Sequence, residues 1–228
     1  MSPFSGFPAD TLPFLSDLAE NNQQDWFLAN KTRYQAALVA PGKAFVEAMG
    51  PALQELDPDL NAVPKVNGSI FRINRDIRFA ADKRPYKEEA GFRFWHGPDR
   101  KANVSGLMMR IKPGFVGLAA GIWAFDKDVR AAFREAVADD ARGTVLAEAI
   151  ANLGVNGCTF TAPKLKRVPK PWTQDHPRAD LLKLNGLVVG IDIAPAPDAL
   201  HGPEFVGWCA DQFEQMLPVH EWLLALTD

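Results

Sequence analysis

Cysteine and tyrosine are both scarce, at two of each in 228 residues. Cys158 and Cys209 lie far apart and fit neither a metal-ligand nor a redox spacing, which excludes a disulfide framework and points to unpaired thiols in a reducing compartment. No apolar run approaches the roughly 18 to 20 residues that a membrane helix needs. The opening MSPFSGFPADTLPFL has no basic start followed by a continuous apolar stretch, so no secretory signal is expected. The expectation is a cytoplasmic protein with no membrane partner. The four histidines, His96, His176, His201 and His220, show neither HxxxH nor HExxH spacing, so no metal site is expected. Gly114, Gly117 and Gly121 lack the Lys-Ser/Thr of a phosphate-binding loop, and no serine or cysteine carries a nucleophile signature. No cofactor is expected, and the sequence names no reaction and no oligomeric state.

The rest of the composition suits a soluble core, with 47% hydrophobic and 23% charged residues. The net charge of −3 hides an asymmetry. From Lys65 to Lys112 there are twelve Lys/Arg against five Asp/Glu, and from Pro163 to Lys183 six against two, leaving −14 on the remainder. Two basic segments on an acidic body would attract a local anion if they met in space.

Element signals follow in chain order. Asp10 is placed to cap a helix through about Ala19, with Leu12, Leu15 and Leu18 as its stripe. A second helix is expected from Gln23 past Tyr34, and a third from Pro41, burying Phe45, Met49, Leu53 and Leu56. Strands are expected over Ser69–Arg75, Gly91–His96, Asn103–Lys112, Phe115–Trp123 and Leu187–Ile193, with a shorter one within Thr159–Arg167. Gly117 and Gly121, on the outer face of their strand, would leave room for close packing. Asp126 should cap a helix through about Ala138, with another over Thr144–Asn152. Pro203–Met216 and Val219–Leu226 read as two terminal helices. The fold class is α+β, a single domain over 1–228. Residues 1–60 are helical, 61–125 hold antiparallel strands and a basic loop, and 126–228 add helices and late strands.

The chemistry concentrates in Ile70–Lys87, IFRINRDIRFAADKRPYK. Arginine offers a rigid fork that matches phosphate or carboxylate oxygens, and lysine a mobile point charge. Alternation on a strand sets Arg72 outward and leaves Arg75 partly buried, in need of Asp76 or Asp82. The cations then outnumber the local acids. The candidate ligand-binding residues are Arg72, Arg75, Arg78, Lys83, Tyr86 and Lys87, supported by Asp76 and Asp82. Asp175 and His176, in the second basic segment, are a candidate proton-transfer pair if the two segments converge. The favoured ligand is a small phosphorylated or carboxylated molecule. A nucleic-acid-binding module is the alternative partner reading, and an ion-pair network that merely fixes the loop is the structural one.

RDIRFAADKRPYK resembles the RDxRFxxDKxPYK signature of a family of conserved hypothetical proteins, a domain of unknown function. The agreement falls on Arg75, Asp76, Arg78, Phe79, Asp82, Lys83, Pro85, Tyr86 and Lys87. NNQQDWFLANKTRY and KPGFVGLAAGIW are similar to two further stretches of that family. The resemblance implies one α+β domain and no particular reaction.

Overall fold

The helical signals at the start of the chain run almost together. In a computed structural model, which describes residues 3–98 and 103–226, α1 (Thr11–Glu20) is followed by α2 (Gln24–Ala29) and α3 (Lys31–Tyr34). A π-helical turn (Gln35–Val39) then leads directly into α4 (Ala40–Leu56). Helix α4 thus starts one residue before the expected Pro41, which sits in its first turn, without a break from the turn before it. The N–H of Ala40 reaches back five residues to the Gln35 carbonyl, a wider turn that accommodates the proline ring. Pro41 has no N–H to offer Ala37, and the Ala37 carbonyl accepts the hydroxyl of fully buried Thr11 at 2.7 Å. Helix α1 begins where expected, but Asp10 does not cap it. Both oxygens of Asp10 accept from Arg33, at 2.8 and 2.6 Å, and a charge-assisted fork outcompetes a single backbone N–H.

The strands are β1 (Leu60–Asn61), β2 (Ala90–His96), β3 (Gly106–Lys112), β4 (Phe115–Ile122), β5 (Thr159–Thr161) and β6 (Leu187–Ile193). They form an antiparallel sheet in the order β1-β2-β3-β4-β6-β5. Strict alternation buries Leu107, Met109 and Ile111 on β3, and Val116, Leu118, Ala120 and Ile122 on β4. The remaining helices are α5 (Lys127–Ala138), α6 (Asp140–Val155), α7 (Ala179–Leu182) and α8 (Phe205–Leu224), with a 3-10 turn at Asp198–His201. N-terminal helices, a central antiparallel sheet and C-terminal helices make the α+β fold that the sequence pattern implies.

Two expected elements differ. Ser69–Arg75 is not a regular strand and pairs through single bridges, Ile70 with Val66 and with Phe92, and Asn74 with Tyr86. The two terminal helices are one, because Pro218 lies inside α8. Pro218 and Glu214, the residue whose carbonyl loses its donor, are both exposed, so the missing bond falls on the solvent side of the helix, where it costs least. Among the described residues no helix is long and apolar enough to cross a membrane.

The chain forms two compact units. The first holds the described residues up to Phe94, with Met108–Leu118 and Asp192–Asp211. Its core is a phenylalanine cluster in which Phe45 lies 5.5 Å from Phe7, 5.4 Å from Phe92 and 5.5 Å from Phe205. The second holds Trp95–Leu107, Ala119–Ile191 and the described residues from Gln212. There Phe133 packs 4.7 Å from Phe125 and 5.7 Å from Trp222. Asp126 caps α5 as expected, accepting from the N–H groups of Asp128 and Val129 at 3.0 and 2.9 Å. The other end of α5 is closed by Arg178, which donates to the carbonyls of Val137, Ala138 and Asp139 and to the Asp140 carboxylate.

Candidate functional site

The basic loop lies wholly within the first unit. Its two limbs run antiparallel without becoming a ladder. Phe71 N–H donates to Gly91 O at 2.9 Å, Lys87 N–H to Ile73 O at 2.8 Å, and Arg75 N–H to Pro85 O at 2.9 Å. Side chains then close the tip. Arg75, part-buried, pairs with Asp82 at 2.8 Å and also donates to the Arg84 carbonyl at 3.1 Å. Arg84 shares Asp82, at 2.8 Å, and pairs with Glu88 four residues on. Arg78 holds Asp76 with its fork, Nε to Oδ1 at 3.0 Å and Nη2 to Oδ2 at 2.7 Å. Lys83 donates to the Ile77 carbonyl at 3.0 Å. Phe79, at the tip, is 96% exposed.

The charges respond to these contacts. The side-chain hydrogen bond from Arg84, its backbone N–H and then Arg75 hold the Asp82 carboxyl well below the usual range. Asp76 is lowered in the same way, first by the Arg78 side chain and then by its N–H. These carboxylates stay ionised, and the arginines facing them are neutralised.

The loop is anchored from the helices by Asn22. Its Nδ2 donates to the Tyr86 carbonyl and its Oδ1 accepts from the Tyr86 N–H, both at 3.0 Å. The Tyr86 ring is 5% exposed and stacks on Phe27 with centroids 4.2 Å apart. A side chain cannot slide under Phe71, because a Cβ added at Gly91 would lie 2.7 Å from its ring.

Arg72 and Lys87 stand differently. Arg72 is exposed and makes no ion pair among the described residues. The Lys87 ammonium sits over the Phe71 ring, 4.9 Å from its centroid, with no carboxylate in ion-pair contact among the described residues. Glu89, the acid that acts on it through space, is 3.6 Å from Lys112. Burial pushes the Lys87 ammonium below its ordinary value, Glu89 opposes that, and the charge of Arg72 adds to it. Two cations thus influence each other, one of them half out of water.

Of the six sequence-chosen binding residues, the first unit brings all into one loop. Arg75 finds Asp82 as expected, whereas Arg78 and Lys83, expected to be available, are engaged by Asp76 and by a carbonyl. Sequence reasoning left out Arg84, Glu88 and Asn22. The acids in DKRPYKEE signal the first two, and Asn22 acts from 64 residues away. The outer-face glycine Gly117 does leave room, and a flat ion pair fills it. Arg110 and Asp192, paired at 2.7 Å, lie where its Cβ would be.

In the second unit Asp175 and His176 each find another partner. The Thr173 hydroxyl donates to Asp175, and His176 Nδ1 accepts the Arg178 N–H at 3.0 Å. That bond fixes the remaining proton of neutral His176 on Nε2. Fully buried His220 has its Nδ1 2.8 Å from Ser105 Oγ, a pair 115 residues apart that no local spacing reveals.

The model of a family described as "Conserved hypothetical protein (DUF2461)" matches residues 10–222. No curated protein matches the chain.

Proposed function

The chain belongs to the DUF2461 family of conserved hypothetical proteins, and we propose that it binds one small anionic group, a phosphate or carboxylate, between Arg72 and Lys87. The observation that carries this reading is the Lys87 ammonium, half-buried over Phe71, depressed by desolvation and by Arg72, and in ion-pair contact with no carboxylate among the described residues. Two like charges in that state cost the folded protein free energy, and an anion between them would offset it. Arg72 supplies the fork, Lys87 the point charge. Arg75, Arg78, Lys83 and Arg84 serve as the frame that holds the two limbs, since each already has an acceptor. With so few cations left over on the loop, the footprint suits one anionic group better than a nucleic-acid backbone.

A second reading is favoured by the closure of Arg75 and Arg78 on Asp82 and Asp76, namely that the motif is a structural clamp and nothing more. One thermal-shift panel separates the two, using inorganic phosphate, pyrophosphate and small dicarboxylates at fixed ionic strength. Anion binding raises Tm of the parent and of Arg78→Ala, and the rise disappears in Arg72→Gln and Lys87→Met. Lys87→Met should also be at least as stable as the parent without anion, because it removes a desolvated charge. If no anion raises Tm, or if Arg78→Ala loses the response while Lys87→Met keeps it, the binding reading fails.

A further inference from the structure

In the second unit, β5 ends the sheet. Its residues pair with β6 on one side, Thr159 opposite Gly190, Phe160 opposite Val189 and Thr161 opposite Val188. The chain continues that pairing, with Asn185 N–H donating to Pro163 O at 2.7 Å and Leu165 N–H to Lys183 O at 2.8 Å. Along its other edge no strand follows among the described residues. All three residues of β5 are exposed, including Phe160 at 47%. Beside that strand is an apolar notch of about 360 Å³, lined by Ile150, Leu153, Cys158, Phe160 and Val189. An open edge offers main-chain donors and acceptors at fixed spacing, and a notch beside it offers a seat for one side chain. Those are the requirements of strand addition.

Charge selects the occupant. Lys164, Lys166, Arg167 and Lys170 follow directly, all exposed, and none makes an ion pair among the described residues. Lysine and proline beside an edge discourage pairing with an identical edge, and a second copy would add a second cluster of the same sign. A nucleic acid would use the cations and leave both the main-chain edge and the notch idle. An extended acidic segment uses all three features.

We propose that β5 is a docking edge for an extended, acidic segment of another protein. That segment adds as a strand, seats one apolar side chain beside Phe160, and sets its carboxylates against Lys164, Lys166, Arg167 and Lys170. The site uses none of the residues proposed to hold an anion on the basic loop and does not depend on them.

The test uses the full chain and two labelled peptides of equal charge, one alternating aspartate with valine, the other aspartate with proline. The proline peptide loses every second N–H, and its prolines favour a polyproline-II course over a pleated strand. Fluorescence anisotropy should show binding of the valine peptide only. Lys166→Glu combined with Arg167→Glu, both at exposed positions, should weaken it by about tenfold. Hydrogen exchange should slow at the amides of residues 159–165 when the valine peptide is bound. Any of four results overturns the proposal: neither peptide binds, both bind equally, oligothymidylate binds more tightly than the valine peptide, or sedimentation shows a dimer of the chain that the β5 charge reversal abolishes.

Discussion

An ammonium half-buried over an aromatic ring, under the charge of a guanidinium and with no carboxylate in ion-pair contact among the described residues, titrates early. Lys87 is shifted below its ordinary 10.5, first by burial. Between its depressed value and 10.5 the unfolded chain holds more protons than the folded one, so this residue's contribution to stability rises with pH across that window. Anion affinity runs the opposite way. It is full below the depressed value and falls as pH rises through it, whereas a Lys87→Arg variant should hold its affinity further into alkali. Titrating phosphate by calorimetry from neutral to alkaline pH checks the sign. A different residue carries a stability prediction. Thr11→Val replaces a hydroxyl of the same shape and leaves the Ala37 carbonyl buried without that donor. The expected loss is about 1–3 kcal/mol in urea unfolding, largely restored by serine. The partnership was hidden from sequence reading because it spans 26 residues and depends on Pro41 having no N–H to give.

Elements whose determinants are local were legible. Alternation located β2, β3, β4 and β6, and Asp126 announced α5, because side-chain period and cap chemistry act within a few residues. Elements decided at a distance were not. Asp10 has the composition of a cap, but Arg33, 23 residues on, takes its carboxylate. Pro218 reads as a break, yet it stands on the exposed side of α8, where a lost backbone bond is tolerated. Ser69–Arg75 has strand composition, but its partner limb bends around Pro85 and the pairing reduces to single bridges and ion pairs. The candidate site was legible as a place, since its five cations and Tyr86 do share one loop. Which of them are engaged was not, because that depends on how Asp76 and Asp82 fold back. Those pairs are open to solvent and screened by it, so each adds little to global stability. Their effect should appear in local opening instead. Arg75→Ala and Asp82→Asn, singly, should speed hydrogen exchange over residues 75–87 while shifting Tm by only a few degrees. An exchange pattern unchanged in both would show that the backbone bonds alone hold the loop.

Across the whole molecule, the carboxylates respond to acid together. Asp10, Asp76, Asp82, Asp126 and Asp140 are all held below the ordinary carboxylate value. For four of them an arginine side chain is the first cause, and for Asp126 it is the Val129 N–H. A depressed folded value stabilises the protein above the ordinary carboxylate range, and that contribution is lost as pH falls through the folded values. Stability should therefore be level down to about pH 5 and decline below about pH 4, followed by circular dichroism in dilute salt. The Arg178 fork has a consequence for a cut chain. The exposed stretch around Lys166 and Arg167 invites trypsin. On one side of such a cut, β5 stays laddered to β6, and on the other, Arg178 stays fastened to the last carbonyls of α5. The two fragments should co-elute on gel filtration after proteolysis and separate only in denaturant. With Arg178→Ala they should come apart at a markedly lower urea concentration. The loop is then a covalent convenience, and the protein persists as a complex of its own pieces.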